Sequence, residues 1–191
     1  MRLVEDLAHP LSADVGVDLR GGQVCVAQQL LHGSQVGAAV QQVGGERVPK
    51  GVRMGGLGRS AIHDAAVETL LKHGVALKML VEEVVPGSFE LPLGAQTLLE
   101  HRGVDGVICI GSVVRGETPH FDFVCQGVSQ GIMDLNLKHG KPVIFCVLTD
   151  NTIEQARDRS GGKHGNKGVE CAVALLQMCD LVKRSIGPQV S

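Results

Sequence analysis

The sequence predicts an α/β fold, a parallel sheet covered by helices on both faces, and three observations carry that expectation. Across residues 62–185, short apolar runs alternate with stretches of helical periodicity, and the connections between them are brief. Such alternation is the pattern of βαβ units and hence of parallel strands. The run Val107-Ile108-Cys109-Ile110 has no polar side, as a strand buried on both faces requires. Glycine and proline fall at the junctions, at Gly74, Pro86-Gly87 and Gly140, where helices stop and the chain turns. Right-handed crossovers then place helices in front of the sheet and behind it.

Taken in order, the first helix spans 62–73, where Ile62, Ala65, Ala66, Thr69, Leu70 and Leu71 recur at helical spacing before Gly74. Residues 79–85 read as a strand ending at Pro86-Gly87, and 91–101 as a helix that tolerates Pro92 in its first turn. A strand over 104–110 leads through a turn to a long helix over 121–139, closed by Gly140. Another strand occupies 142–148. Residues 151–159 start a helix with Glu154 placed early, where a carboxylate complements the helix dipole. Gly161, Gly162, Gly165 and Gly168 break the chain. Residues 169–184 then form a final helix, apolar around much of its circumference and so packed between neighbours.

Residues 1–58 do not share this pattern. Eleven of them are glycine and none is aromatic. A helix over 23–43 fits the composition, although Gly33 and Gly37 interrupt it, and 44–58 has no clean period. The expected organisation is an N-terminal segment over 1–58 of unassigned structure, a domain over 59–186 and a short tail over 187–191.

The 191 residues suffice for one domain with a sizeable core plus an extension. A net charge of −2 gives no footprint for nucleic acid or an anionic membrane surface. No apolar run approaches the ~20 residues that span a bilayer, and Met1-Arg2-Leu3-Val4-Glu5-Asp6 lacks the pattern of a secretory signal. The six cysteines form no Cys-x-x-Cys, and Cys109, Cys146, Cys171 and Cys179 sit in apolar segments. Buried free thiols are expected rather than disulfides or a metal site, which points to a reducing cytoplasm. There is no Trp or Tyr, and Phe89, Phe121 and Phe145, three of the four phenylalanines, lie in or beside candidate site loops. They are placed either for a flat ligand or as plain core.

Gly111 to Phe121 follows the apolar strand, so its Arg115, Gly116, Thr118 and His120 lie at the carboxyl edge of the sheet, where open α/β sheets bind ligands. Gly116, Glu117 and Thr118 form a turn before a helix, whose free amides and positive end suit phosphate; Glu117 must then offer its N–H, not its carboxylate. Val113 and Val114 leave strand-end backbone groups for a polar ring edge. His120 is the proton-transfer candidate, since an imidazole titrates near neutrality at ~6.5; a helix-start histidine making a structural hydrogen bond is the plainer alternative. The turn Pro86 to Glu90 exposes backbone amides, a flat ring and a carboxylate, and its backbone groups with Glu90 can bind a polyol, whose hydroxyls both donate and accept; an ordinary turn with Glu90 as a helix-start carboxylate is the alternative. Arg159, just before the glycine break, can clamp phosphate by two hydrogen bonds, and Lys167 either assists or stays solvated.

From about residue 60 to 184 the chain resembles the lumazine synthase (6,7-dimethyl-8-ribityllumazine synthase) family of riboflavin biosynthesis. Three motifs carry the resemblance: Val85-Pro86-Gly87-Ser88-Phe89-Glu90-Leu91-Pro92, Gly111 to Phe121, and Arg159-Ser160-Gly161-Gly162-Lys163-His164-Gly165-Asn166-Lys167-Gly168. The resemblance implies a flavodoxin-like three-layer sandwich with a parallel sheet. It implies a transferase that condenses 5-amino-6-(D-ribitylamino)uracil with 3,4-dihydroxy-2-butanone 4-phosphate, losing phosphate and water, with no metal and no organic cofactor. It assigns Ser88, Phe89 and Glu90 to the ribityl chain, and Ser112, Val113, Val114 and Phe145 to the pyrimidine. Gly116, Glu117, Thr118, Arg159 and Lys167 fall to the phosphate and His120 to proton transfer. Sites of the family lie between neighbouring subunits of a homopentamer, so small-molecule substrates and further copies of the chain are the expected partners; the glycine break permits a sixty-subunit capsid as well.

The N-terminus departs from that pattern. The family has a first strand ending in an arginine, an aromatic that stacks on the pyrimidine, and an asparagine. Extension of the match without gaps puts Arg53, Met54 and Gly55 there, after Glu46-Arg47-Val48-Pro49-Lys50-Gly51-Val52, a poor central strand. The expected first strand is therefore degenerate, and its neighbours would face an unpaired edge. Residues 1–58 are either a divergent segment or the product of a shifted reading frame joined to an intact body; the abrupt change of composition near residue 60 favours the latter. An impaired lumazine synthase-like shell, or a flavin-binding protein, is the alternative function.

Overall fold

A computed structural model describes residues 60–185 in full, together with the backbone course of 24–29 and of Ile186. In chain order its elements are β1 (Val24–Gln29), α1 (Ala61–Lys72), β2 (Leu80–Val85), α2 (Leu91–His101), β3 (Gly106–Val114), α3 (His120–His139), β4 (Val143–Asp150), α4 (Ile153–Asp158), β5 (Ser160–Gly162), β6 (Gly165–Asn166) and α5 (Lys167–Ile186). One four-stranded parallel sheet has the order β2-β1-β3-β4. The α/β class, the parallel sheet and the succession of elements after residue 60 agree with the sequence reading.

Three differences from it bear on the site. Residues 24–29 are a strand and not part of a helix, and they fill the slot between β2 and β3, Val24 pairing with both Leu80 and Gly106. The expected unpaired edge is thus absent between those strands. Parallel neighbours leave rows of N–H and C=O groups that some segment must satisfy, and Val-Cys-Val has the β-branched character for it. The weaker candidate over 46–52 lies outside the described residues.

Second, β3 does not stop at Ile110. It runs on to Val114, paired with β4 from Val107↔Val143 to Val114↔Asp150. Gly111 punctuates the sequence but, inside a ladder, merely lacks a side chain. Third, the glycine break is a small antiparallel hairpin, β5–β6, and α5 already begins at Lys167.

The core divides into two layers, one on each face, as strand alternation demands. Val107 and Cys109 of β3 and Val143 and Val147 of β4 face α2 and α3, joining Leu91, Leu98, Val128 and Ile132. Ile108 and Ile110, with Cys146 and Leu148, face the other way and join Leu70 of α1 and Leu175 of α5. Cys109, Cys146, Cys171 and Cys179 are buried free thiols, as the sequence predicts.

Local chemistry sets the helix ends. Ser60 caps α1, accepting from the His63 N–H at 3.2 Å. A reciprocal box between Thr152 and Gln155 starts α4. Gly140, at φ 58°, closes α3 in the left-handed conformation.

Where α5 meets α1 the approach is close enough to exclude any side chain at Gly168: a Cβ there would run into the Ile62 carbonyl oxygen. Gly168→Ala is expected to destabilise the fold by about 1–3 kcal/mol, because backbone and not a flexible side chain must yield. Gly116→Ala, with open space around its would-be Cβ, is the control. Equal urea midpoints for the two variants would contradict this packing.

Candidate active site

Three segments meet at the carboxyl edge of the sheet. After β2 the chain turns at Gly87 into one 3-10 turn, Ser88–Glu90, and enters α2. The end of β3 supplies Ser112 and Val113. The first two turns of α3 supply His120, Phe123 and Val124. Together with Gly87, Ser88, Phe89 and Glu90 these line an open pocket of about 450 Å³.

Ser88 is buried beneath the pocket, whereas the Phe89 ring is 58% exposed. That ring lies against α3 at Gly127, where an added Cβ would come within 2.6 Å of it. A side chain at Gly127 would therefore displace the ring.

The turn after β3 is exposed from Val114 to His120 and is held at its ends. The Arg115 N–H donates to the Asp150 carbonyl at 2.8 Å, extending the β3–β4 link by one residue. The Asp122 and Phe123 N–H groups donate to the Pro119 carbonyl at 2.9 and 3.4 Å, closing the first turn of α3. Arg115 forks onto Asp122, with Nη2 2.8 Å from Oδ1 and Nη1 3.2 Å from Oδ2. The hydrogen bond from Arg115 holds the Asp122 carboxyl below the ordinary carboxylate range, and Asp122 in turn raises Arg115.

A second charged cluster lies at the α4–α5 corner. Arg159 Nη2 stands 2.8 and 2.9 Å from the two carboxylate oxygens of Glu170, and Nη1 donates to the His164 carbonyl. Lys167 Nζ reaches Glu170 Oε2 at 3.0 Å, and Lys163 pairs with Asp158 at 3.1 Å. Burial pushes the Glu170 carboxyl up, but Lys167 and Arg159 together outweigh it and the net direction is down. At the end of β4, burial raises Asp150, against the opposing charge of Arg159.

Of the residues singled out from the sequence, Ser88, Phe89, Glu90, Ser112, Val113 and His120 come together in one pocket. Val114, Gly116, Glu117 and Thr118 continue from its rim as exposed chain. Arg159 and Lys167 belong to the separate corner and are absent from the lining. Phe145 sits opposite Cys109 and packs against the α2–α3 core without lining the pocket. Met54 lies outside the described residues.

The phenylalanines divide between the two alternatives, pocket and core. Phe121 turns inward and is buried, with the Arg115 guanidinium 4.2 Å from its ring centre. The pocket aromatic of α3 is Phe123, 69% exposed. Residues 120, 123 and 124 share one helix face, whereas 121 and 123 diverge by about 200° at 3.6 residues per turn. That spacing, applied from His120, identifies Phe123 and Val124 without a structure.

The Glu170 pKa carries a sign. Its folded value lies below the unfolded ~4.3, so its contribution is whole above that pH and disappears as pH falls through the folded value. Acidification from pH ~5 to ~3 should therefore lower the urea midpoint of wild-type protein more than that of Glu170→Gln. Parallel losses in both would contradict the pairing.

The family model described as 6,7-dimethyl-8-ribityllumazine synthase matches residues 59–183. A protein of that name from Cytophaga hutchinsonii is 57% identical over 117 residues, covering 61% of this chain and 74% of its own. One from Bacteroides fragilis is 51% identical over 122 residues, with 64% and 85% covered. One from Porphyromonas gingivalis is 55% identical over 116 residues, with 61% and 72% covered.

Proposed function

The chain belongs to the 6,7-dimethyl-8-ribityllumazine synthase family, and we propose that it condenses 5-amino-6-(D-ribitylamino)uracil with 3,4-dihydroxy-2-butanone 4-phosphate to 6,7-dimethyl-8-ribityllumazine in riboflavin biosynthesis. The observation that carries this reading is the single pocket joining the Ser88–Glu90 turn, the β3 edge and His120.

In this reading Ser88, Phe89 and Glu90 receive the ribityl chain, and the backbone at Ser112, Val113 and Val114 meets the polar edge of the pyrimidine. The turn Gly116-Glu117-Thr118 seats the phosphate with its amides and hydroxyl. The ring amine then attacks the ketone, and loss of water gives an imine. Removal of the proton from the hydroxyl-bearing carbon expels phosphate and leaves an enol, which takes up a proton at its terminal carbon to become a methyl ketone. Attack of the ribitylamino nitrogen on that new carbonyl, with loss of a second water, closes the ring. His120 stands beside these atoms to move the protons. Holding both reactants in one pocket supplies much of the acceleration, since effective molarities reach ~10⁵ M or more.

Arg159 is the phosphate cation of this scheme, with Lys167 beside it, and both sit away from the pocket of their own chain. In this reading a neighbouring copy delivers them, and the family's shared sites support a homopentamer, alone or assembled into a capsid. The exposed apolar residues Phe123, Met133 and Leu137, on one side of α3, and Leu93 of α2 support burial against another copy. No helix among the described residues is long and apolar enough to cross a membrane, and the reading places the protein in the cytoplasm.

A second reading keeps the shell without the chemistry. β1 brings Gln29 to the carboxyl edge and carries no aromatic residue, so a pyrimidine ring would lack the family's stacking partner; such stacking contributes ~0.5–1.5 kcal/mol.

Steady-state fluorescence of the lumazine formed from both substrates separates the two. Turnover above the buffer rate is expected, with kcat reduced about 10²-fold or more in His120→Ala. A folded protein giving only the uncatalysed rate leaves the shell reading in its place. Native mass spectrometry should show five copies of the 20.1 kDa chain, or multiples of five; a monomer at working concentration would contradict the shared site.

A further inference from the structure

Arg115 and Asp122 have no role in the scheme above, yet they bracket the turn that seats the phosphate. That turn is not held by packing: Gly116 to His120 are exposed, and nothing lies within 4 Å of a would-be Cβ on Gly116. Beyond the main-chain bonds at its two ends, the Arg115 side chain ties it down. Its two terminal nitrogens take the two oxygens of Asp122, its Nε donates to Asn151 Oδ1 at 2.9 Å, and its plane covers the Phe121 ring. One guanidinium thus ties the end of β3, the chain leaving β4 and the first turn of α3. Two parallel N–H···O bonds fix orientation as well as distance, which a lysine could not do.

We propose that Arg115 and Asp122 are a positioning pair, whose forked contact closes the turn 116–119 and presents its amides and the Thr118 hydroxyl to the substrate phosphate. This role rests on the lumazine synthase reading and adds to it a determinant of affinity for the phosphate-bearing substrate. An exposed ion pair contributes little to global stability, so its removal acts on geometry at the turn and leaves the fold intact. Through that contact Arg115 shapes the phosphate seat.

The test uses the full chain with Asp122→Asn, Arg115→Lys and the double variant, assayed with each substrate varied in turn and by equilibrium dialysis of inorganic phosphate. Each single variant should raise the KM for the butanone phosphate about tenfold, and the double variant should be no worse than the poorer single one. The kcat at saturation and the KM for the pyrimidine should stay within about twofold, a split that general loss of structure would not produce. Inorganic phosphate binding should weaken in parallel. Unchanged KM and phosphate affinity, multiplicative single effects, or equal loss in both substrates and in melting temperature would each overturn the proposal. If wild-type protein makes no lumazine but binds phosphate less well after Asp122→Asn, the family chemistry fails and the positioning role stands. Normal turnover with unaltered phosphate binding would have the opposite meaning.

Discussion

The ladder between β3 and β4 is the constraint on which the site depends. It continues beyond the buried layers to Val114↔Asp150, and the Arg115 N–H adds one further bond to the Asp150 carbonyl. At ~3.3 Å per residue, the four residues past Ile110 carry the strand about 13 Å further. That advance places Ser112 and Val113 level with the Ser88–Glu90 turn and the start of α3, so three distant segments share one pocket. A strand ending at Ile110 would leave the turn and His120 without a fixed base.

Charge at the edge is arranged around the same base. Arg115 and Arg159, the cations nearest the chemistry in sequence, are each already joined to a carboxylate, Asp122 and Glu170 respectively. In the scheme above, the pocket side therefore offers phosphate mainly dipolar groups, the amides of a helix start and a hydroxyl. The corner at α4–α5 offers a guanidinium whose bonds to Glu170 and the His164 carbonyl set its direction before any partner arrives. Such preorganisation lowers the cost of ordering a long side chain when an anion is bound. Asp150, whose carboxyl is raised by burial, lies between these regions in sequence and feels the Arg159 charge.

Much of this was legible before any coordinates. The apolar run at Val107–Ile110, the helix stops at Gly74 and Gly140, and Pro92 in a first helical turn gave the element order after residue 60, because each is a local rule that the tertiary structure did not override. The pocket residues 88–90, 112–113 and 120 followed from topology, since ligands gather at the carboxyl edge. Errors arose where a local signal met a long-range one. Gly111 looked like the end of a strand, yet pairing to β4 carried the strand through it. Gly33 and Gly37 interrupted a helix that was never formed at 24–29, where two waiting neighbours select a strand. For Phe121 and Phe145 the sequence leaves ligand contact and core both open; the helix turn buries Phe121, and strand pairing sets Phe145 against the α2–α3 core of its own chain. Pairings between side chains far apart in sequence, Arg115 with Asn151 above all, have no sequence signal.

The central claim is that each working site combines the pocket and turn of one chain with the Arg159 corner of another. Co-assembly of His120→Ala chains with Arg159→Ala chains tests it most directly, because neither alone can build a complete site. Random mixing in equal amounts within a ring places an intact pocket beside an intact arginine at about one interface in four. The account predicts that mixed assemblies recover about a quarter of the wild-type rate of lumazine formation, well above either parent. Mixed assemblies no more active than their parents would contradict it.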